Sequence, residues 1–140
     1  MIYNNLSIEH YEKYKQLVDS SVTKEYFIKF VNNVLNENHK IFVIEDPEKN
    51  IIGSGTVFIE EKLTYSGCKM GHIENILIGE KYRSLGYGEK LVNYLLEICK
   101  NKGCYRVDLN CSSELQHFYQ KNGFTKKHVC MNIYFKENFN

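Results

Sequence analysis

The chain has 140 residues, a hydrophobic fraction of 43%, a charged fraction of 25% and a formal net charge of +1. These values predict one soluble domain covering residues 1–140, and they exclude a general electrostatic attraction to nucleic acid or acidic membranes. No apolar run approaches the roughly 20 residues that span a bilayer, and no signal peptide is evident, so we expect a cytoplasmic protein.

The cysteines favour reduced thiols over a disulfide framework or a zinc site. They are odd in number, widely spaced and without a C-x-x-C pair: Cys68, Cys99, Cys104, Cys111 and Cys130.

Two amphipathic helices are predicted near the N-terminus. Apolar side chains recur at helical spacing over residues 8–18, and again from Phe27 to Leu35 after an N-cap at Thr23. A strand at 40–45, a turn at 46–50 and a return strand at 51–58 then predict a hairpin. Gly53 and Gly55 in the return strand indicate a bulge or a close approach. Residues 62–69 are predicted to form a loop.

The next stretch predicts a strand, a glycine turn and a helix. Residues 72–78 are rich in isoleucine and are predicted to be buried on both faces. From Glu89 an apolar stripe predicts a helix that ends at Gly103. The turn at 83–88 lies where unpaired helix N–H groups favour an anion, so we expect it to hold a phosphate or pyrophosphate. Plain turn chemistry is the alternative, since neither common nucleotide fingerprint fits.

The C-terminal part completes a mixed α/β pattern. A strand at 105–110, a short helix at about 113–121 and a last strand or hairpin from Phe124 to about Phe135 are expected. This element order predicts an α/β (α+β mixed) domain with a partly antiparallel sheet.

Two motifs carry a family resemblance. Arg83-x-x-Gly86-x-Gly88 resembles the pyrophosphate loop of the GCN5-related N-acetyltransferases (GNAT), and residues 117–124, HFYQKNGF, resemble their second signature. The segments GHIENILI, KYRSLGYGEKLV, GCYRVDLNC and FYQKNGF are most similar to the glucosamine 6-phosphate N-acetyltransferases. The likeness runs from about Tyr11 to Phe135, and it implies a mixed, largely antiparallel central sheet flanked by helices.

The resemblance implies acetyl transfer from acetyl-CoA to the 2-amino group of glucosamine 6-phosphate, without a metal, in UDP-N-acetylglucosamine synthesis by a cytoplasmic homodimer. It implies a backbone N–H near Ile76 as oxyanion donor, Tyr119 as proton donor to the CoA thiolate, and Glu74 or the Asn110 carbonyl as amine proton acceptor. The implied acetyl-CoA ligands are Ile76, Leu77, Ile78, Arg83, Ser84, Leu85, Gly86, Tyr87, Gly88, Asn110, Glu114 and Tyr119. The implied acceptor-site residues are Lys62, Leu63, Thr64, Tyr65, Glu74, Asn75, Tyr105, Arg106 and Tyr134.

Three positions depart from the family pattern. Asn75 replaces a common Asp, Glu114 replaces a frequent Asn, and Tyr134 lies nearest to a usual Arg that reaches the partner subunit's phosphate. These departures motivate two alternatives: acetyl transfer to another amine (another amino sugar, a polyamine or a peptide N-terminus), or a catalytically silent acyl-CoA-binding module.

Structural interpretations compete with several of these roles. Tyr119 is alternatively a buried core tyrosine, and Glu74 alternatively forms an ion pair with a lysine. Lys62 is alternatively a solvated surface residue. His72 and Glu74 lack a third metal ligand at suitable spacing. Cys111 is expected to be a small core residue rather than a nucleophile.

Overall fold

A five-stranded sheet organises residues 1–109 of the computed structural model, which describes residues 1–136. Its order is β1 (Ile2–Asn5), β2 (His39–Glu45), β3 (Ile51–Glu61), β4 (Lys69–Ile78) and β5 (Cys104–Asp108). Neighbouring strands from β1 to β4 pair antiparallel, whereas β4 and β5 pair parallel. The mixed, largely antiparallel sheet is therefore confirmed.

Within residues 1–109, four α-helices accompany this sheet. They are α1 (Tyr11–Val18), α2 (Lys24–Lys29), the single distorted turn α3 (Thr64–Gly67) and α4 (Tyr87–Asn101). The predicted cap at Thr23 is confirmed, because its side chain accepts a hydrogen bond from the Tyr26 N–H at 3.1 Å. Short 3-10 helices cover Ile8–His10 and Glu80–Tyr82, and the α2 segment continues as a π-helix over Phe30–Val34. None of the helices within residues 1–136 is long and apolar enough to cross a membrane.

The sheet carries helices on both faces. Phe42 of β2 contacts Tyr94 of α4 with 5.3 Å between ring centroids. Its neighbours point the other way, because side chains alternate along a strand. They join a buried cluster with the first two helices, made of Leu6, Tyr11, Phe27, Ile41, Val43 and Ile51. The α4 stripe is confirmed by the burial of Leu91, Val92, Leu95 and Cys99.

Strand β1 was not expected from the sequence. It is four residues long, its pattern is half polar, and it exists because Ile2–Asn5 pairs with Phe42–Glu45 of β2. Tyr3 also stacks on Tyr94 of α4, with 4.1 Å between centroids and 14° between ring planes. Both contacts are long-range, so a local sequence pattern does not reveal them.

A β-bulge interrupts the pairing of β3 with β4. Thr56 pairs with Glu74, but Ser54 pairs with Leu77, so Asn75 and Ile76 together face Gly55. Asn75 takes a left-handed φ of 52°. A Cβ on Gly55 would lie 2.9 Å from Ile76 Cδ1, so this glycine permits a close approach as expected.

Burial of β4 differs from the prediction in its second half. Ile73 is buried, but Glu74 and Asn75 are exposed and residues 76–78 are only partly buried. The bulge takes Asn75 out of the regular β3–β4 ladder, and β5 stops pairing with β4 at the His72–Asp108 rung. The expectation of burial on both faces is therefore wrong beyond Ile73.

The second compact unit begins at Asn110 and is described to residue 136. It contains a 3-10 turn, Ser113–Leu115, and α5, Gln116–Lys121, with Gly123 at φ 94° just after the helix. No strand is present in residues 124–136, so the predicted last strand is wrong for this part of the chain. A strand needs a hydrogen-bonded neighbour, and alternate apolar side chains alone do not supply one.

We expect Gly71→Ala to lower the free energy of unfolding by about 1–3 kcal/mol, because overpacking strains a core. A Cβ at this position would lie 2.6 Å from Cys99 Sγ and 3.1 Å from Val107 Cγ2. Urea unfolding of the wild type, G71A, C99A and the double variant measures the effect. The double variant should lose less than the sum of the single losses. Simple additivity would contradict the proposed clash.

Candidate active site

The bulged half of β4 forms the first part of the site. Beyond the His72–Asp108 rung, β4 remains paired with β3 while β5 ends. The β4 edge over residues 73–78 therefore has no strand beside it on the β5 side within the described chain. Backbone groups on an open strand edge need hydrogen-bond partners. This stretch includes Ile76, Leu77 and Ile78, so its geometry suits an extended ligand that pairs with the main chain.

The turn at 83–88 forms the second part. Ser84 and Gly86 take left-handed φ values of 64° and 86°, and α4 begins directly afterwards at Tyr87. Arg83 Nε donates to the Ile78 carbonyl at 3.1 Å, which ties the turn to the end of β4. That bond leaves both Nη groups of this exposed side chain available to an anion. The 15-residue helix starts two residues earlier than expected and directs its first N–H groups into the turn.

Glu74 is exposed and has no ion-pair partner among residues 1–136. The alternative interpretation of Glu74, an ion pair with a lysine, is therefore wrong for this part of the chain. Asn75 is also exposed, since it stands in the bulge. Both side chains are available to a ligand at the open edge.

The loop after β3 brings together two predicted acceptor-site tyrosines. Tyr65 and Tyr105 stack with 5.9 Å between centroids and 11° between planes, although both are exposed. Tyr65 and Ser66 take left-handed φ values of 51° and 62°, a conformation that costs about 1–2 kcal/mol per residue. Leu63, Thr64 and Arg106 are exposed as well. Lys62 Nζ lies 3.5 Å from Glu60 Oε2, so Lys62 is not a simple solvated cation.

In the second unit, Tyr119 is 8% exposed and packs between two aromatic rings. The centroids of Phe118 and Phe124 lie 5.0 Å and 5.9 Å from its ring. Burial, and then the charge of a Cys111 thiolate, raise the pKa of Tyr119, so the phenol is protonated at neutral pH. This is the state a proton donor requires, and it is equally compatible with a core role.

The other predicted residues of this unit lie at the surface. Asn110, Glu114 and Tyr134 are exposed. Cys111 is also exposed, so its assignment as a core residue is wrong. In the chain it lies in the segment between β5 and the following 3-10 turn.

A hydrogen-bonded network centred on His72 was not expected from the sequence. Its Nδ1 lies 2.5 Å from Asp108 Oδ1, and its Nε2 lies 2.9 Å from Glu60 Oε1. Burial acts to lower the pKa of His72, but the hydrogen bonds and charges of both carboxylates outweigh it and raise the pKa. In residues 1–136 no three His, Cys, Asp or Glu side chains are arranged as a metal site. The contacts of His72 follow from the pairing register of β3, β4 and β5, and the sequence alone does not give that register.

Comparison with known proteins establishes the family. Residues 3–124 match the family described as acetyltransferase (GNAT) family. The chain belongs to the GNAT family. GNAT acetyltransferases use acetyl-CoA as the acetyl donor, and the two parts described above suit such a ligand.

Several individual relatives are named as glucosamine 6-phosphate N-acetyltransferases. The chain is 42% identical over 104 residues to the "Probable glucosamine 6-phosphate N-acetyltransferase 2" of Oryza sativa subsp. japonica, covering 72% of this chain and 63% of the rice protein. It is 37% identical over 121 residues to the "Glucosamine 6-phosphate N-acetyltransferase" of Arabidopsis thaliana, covering 84% and 81%. The crystal structure of the glucosamine-6-phosphate N-acetyltransferase from Arabidopsis thaliana matches with a TM-score of 0.89 at 33% identity, covering 96% and 98%.

We expect Gly86→Ala to weaken acetyl-CoA binding about five- to thirtyfold, the equivalent of the 1–2 kcal/mol that a left-handed alanine costs. A Cβ at Gly86 would meet no atom within 4 Å, so only its φ of 86° opposes the substitution. Ser84→Gly is the matched control. Glycine adopts the observed φ of 64° at position 84 without strain, so this variant should preserve or improve acetyl-CoA binding.

Isothermal calorimetry with acetyl-CoA measures both variants. Equal affinity of G86A and wild type would mean that the conformation of the turn does not determine binding.

Proposed function

We propose that this chain is an acetyl-CoA-dependent N-acetyltransferase that converts D-glucosamine 6-phosphate to N-acetyl-D-glucosamine 6-phosphate and CoA. The assignment of the substrate rests on the similarity to the Arabidopsis enzyme, which is 37% identical over 84% of this chain. In this proposal residues 1–140 act as one cytoplasmic acetyltransferase domain in UDP-N-acetylglucosamine synthesis.

The acetyl donor binds to backbone and turn. Main-chain groups of residues 76–78 pair with the pantetheine arm, and residues 83–88 bind the pyrophosphate. The open β4 edge and the Arg83–Ile78 contact support this assignment. Asn110 and Glu114 are further proposed contacts to CoA.

Transfer proceeds by direct attack. The free 2-amino nitrogen attacks the thioester carbonyl carbon, and the backbone N–H near Ile76 stabilises the oxyanion. The bulge supports this role, because it takes Asn75 and Ile76 out of the regular β3–β4 pairing. The amine proton passes to Glu74, directly or through a water, or to the Asn110 carbonyl. The C–S bond then breaks, and Tyr119 gives its proton to the CoA thiolate.

The acceptor phosphate is proposed to lie against Lys62 and Arg106. Leu63, Thr64, Tyr65, Asn75 and Tyr105 complete the acceptor site in this proposal. The stacked tyrosines and the exposure of Arg106 support it. Asn75 and Tyr134 favour the alternative of another amine, because each removes a charge that the family commonly uses.

A coupled assay tests the function. Purified protein, acetyl-CoA and a panel of amines are mixed, and release of the free CoA thiol is followed. Glucosamine 6-phosphate should exceed glucosamine in kcat/KM by at least about tenfold, because charge-assisted hydrogen bonds to a phosphate contribute about 1.5–3 kcal/mol each.

Turnover of glucosamine but not of its 6-phosphate would contradict the proposed acceptor. Turnover of only a polyamine or a peptide would favour the second candidate. Binding of CoA without turnover of any amine would favour the silent binding module.

We also propose a homodimer formed through the C-terminal segment. Its alternate apolar side chains are 83–94% exposed: Val129, Met131, Ile133 and Phe135. Several large apolar side chains exposed in one short segment are typical of an interaction site. Within residues 1–136 the outer edge of β5 also lacks a strand neighbour, so a second copy of the chain could pair there.

Light scattering tests the dimer. The wild type should have twice the 16.5 kDa chain mass. Ile133→Asp should shift the protein to the monomer mass, since a buried unpaired carboxylate opposes association. Ile133→Val is the control and should remain dimeric. A monomeric wild type, or an unchanged mass for Ile133→Asp, would exclude this interface.

A further inference from the structure

Three strands are joined through one imidazole ring. His72 on β4 contacts Asp108 of β5 through Nδ1 at 2.5 Å and Glu60 of β3 through Nε2 at 2.9 Å. The ring also stacks on Phe58, its partner in the β3–β4 register, at 6.0 Å and 28°. The His72 side chain is 26% exposed, so water only partly screens these contacts.

Both contacts require a charged ring. Carboxylates at neutral pH only accept hydrogen bonds, and a neutral imidazole carries a single N–H. His72 can therefore donate to Glu60 and Asp108 together only as imidazolium, in two charge-assisted hydrogen bonds. Deprotonation leaves one of the two carboxylates without its donor.

Glu60 links His72 to Lys62. One oxygen of Glu60 contacts His72, and the other lies 3.5 Å from Lys62 Nζ. A carboxylate held at both oxygens has little freedom to rotate. The position of the Lys62 ammonium therefore depends on the hydrogen bond between Glu60 and His72.

The hydrogen bond between His72 and Asp108 also affects the place where β4 and β5 separate. The His72–Asp108 pair is the last rung between β4 and β5. Beyond it β4 continues to Ile78, whereas β5 has ended. A bond across the last rung sets where the two strands separate and hence where the open edge of β4 begins.

We propose that His72 is a positioning residue with two arms. Through Glu60 it holds the Lys62 ammonium for the acceptor phosphate, and through Asp108 it sets the strand separation that admits acetyl-CoA. This inference rests on the function proposed above and deepens it.

The two arms can be separated by steady-state kinetics. Glu60→Gln should raise the KM for glucosamine 6-phosphate about three- to tenfold, the loss expected for one hydrogen bond, and should leave the KM for acetyl-CoA unchanged. Asp108→Asn should raise the KM for acetyl-CoA by a similar factor and leave the KM for glucosamine 6-phosphate unchanged. His72→Gln, whose amide cannot reproduce a doubly donating cation, should raise both.

The matched control is Glu61→Gln. Glu61 follows Glu60 in β3, points to the opposite face of the sheet and lies 4.0 Å from Lys69 Nζ. It should change neither KM.

The pH dependence supplies a readout that a purely structural role would not move. The pKa of His72 is raised in the folded protein, so the two-arm network is complete below that pKa and is lost as pH rises through it. Both wild-type KM values should therefore rise across this range relative to His72→Gln. That comparison cancels the acceptor's own ionisation, which is the same for both proteins.

Nuclear magnetic resonance of ¹⁵N-histidine-labelled protein measures the His72 titration directly. The His72 signals are those missing from His72→Gln. The pKa should lie above the ordinary value of 6.5 and fall in both Glu60→Gln and Asp108→Asn.

An ordinary His72 pKa, or a His72→Gln variant that loses only thermal stability while its KM values and pH profile match wild type, would overturn the proposal. Absence of wild-type turnover would instead reject the proposed function. The titration, together with calorimetry of acetyl-CoA binding to Asp108→Asn, would then still decide the role of His72.

Discussion

The structure of residues 1–109 depends on the place where β4 and β5 stop pairing. Up to the His72–Asp108 rung, β4 has a strand on each side, and beyond it β4 keeps only β3. Main-chain N–H and C=O groups require partners, so an edge left open in this way favours an extended ligand. The bulge at Asn75 and Ile76 lies within the same stretch, where the side chains of Glu74 and Asn75 are exposed. The open edge thus follows from the end of β5, and the bulge lies directly beside the exposed carboxylate of Glu74.

Close packing joins this edge to the glycine turn. A Cβ on Gly55, beneath the bulge, would lie 2.9 Å from both Ile76 Cδ1 and Leu95 Cδ1. Leu95 belongs to α4, whose first turn follows directly on Gly86. Arg83 also donates to the Ile78 carbonyl at the end of β4. The turn and the bulged strand are therefore connected both through the core and through a surface hydrogen bond, which holds the two parts at a fixed spacing.

Local patterns allowed much of this architecture to be predicted. The β2–β3 hairpin, the stripe of α4 and the glycine turn depend on residues close in sequence, and the structure contains them all. Long-range pairing explains what was missed or wrong. Strand β1 exists only through β2, and the exposure of Asn75 follows from a bulge whose position depends on the β3–β4 register. The His72 contacts join residues 12 and 36 positions apart, so no local pattern predicts them.

The distribution of charge on one face of β4 gives Glu74 its particular character. His72 and Glu74 are two residues apart before the bulge, so both side chains lie on the same face of the sheet. Glu60 and Asp108 are engaged by the imidazole ring, and Glu60 also by Lys62. Glu74 differs from them because it has no cationic partner within residues 1–136. A cationic amine that approaches this face would therefore meet neutralised carboxylates at Glu60 and Asp108 and an uncompensated one at Glu74. In the mechanism proposed above, this difference in charge favours the approach of the amine to the bulge, where the backbone N–H of Ile76 is proposed to receive the oxyanion.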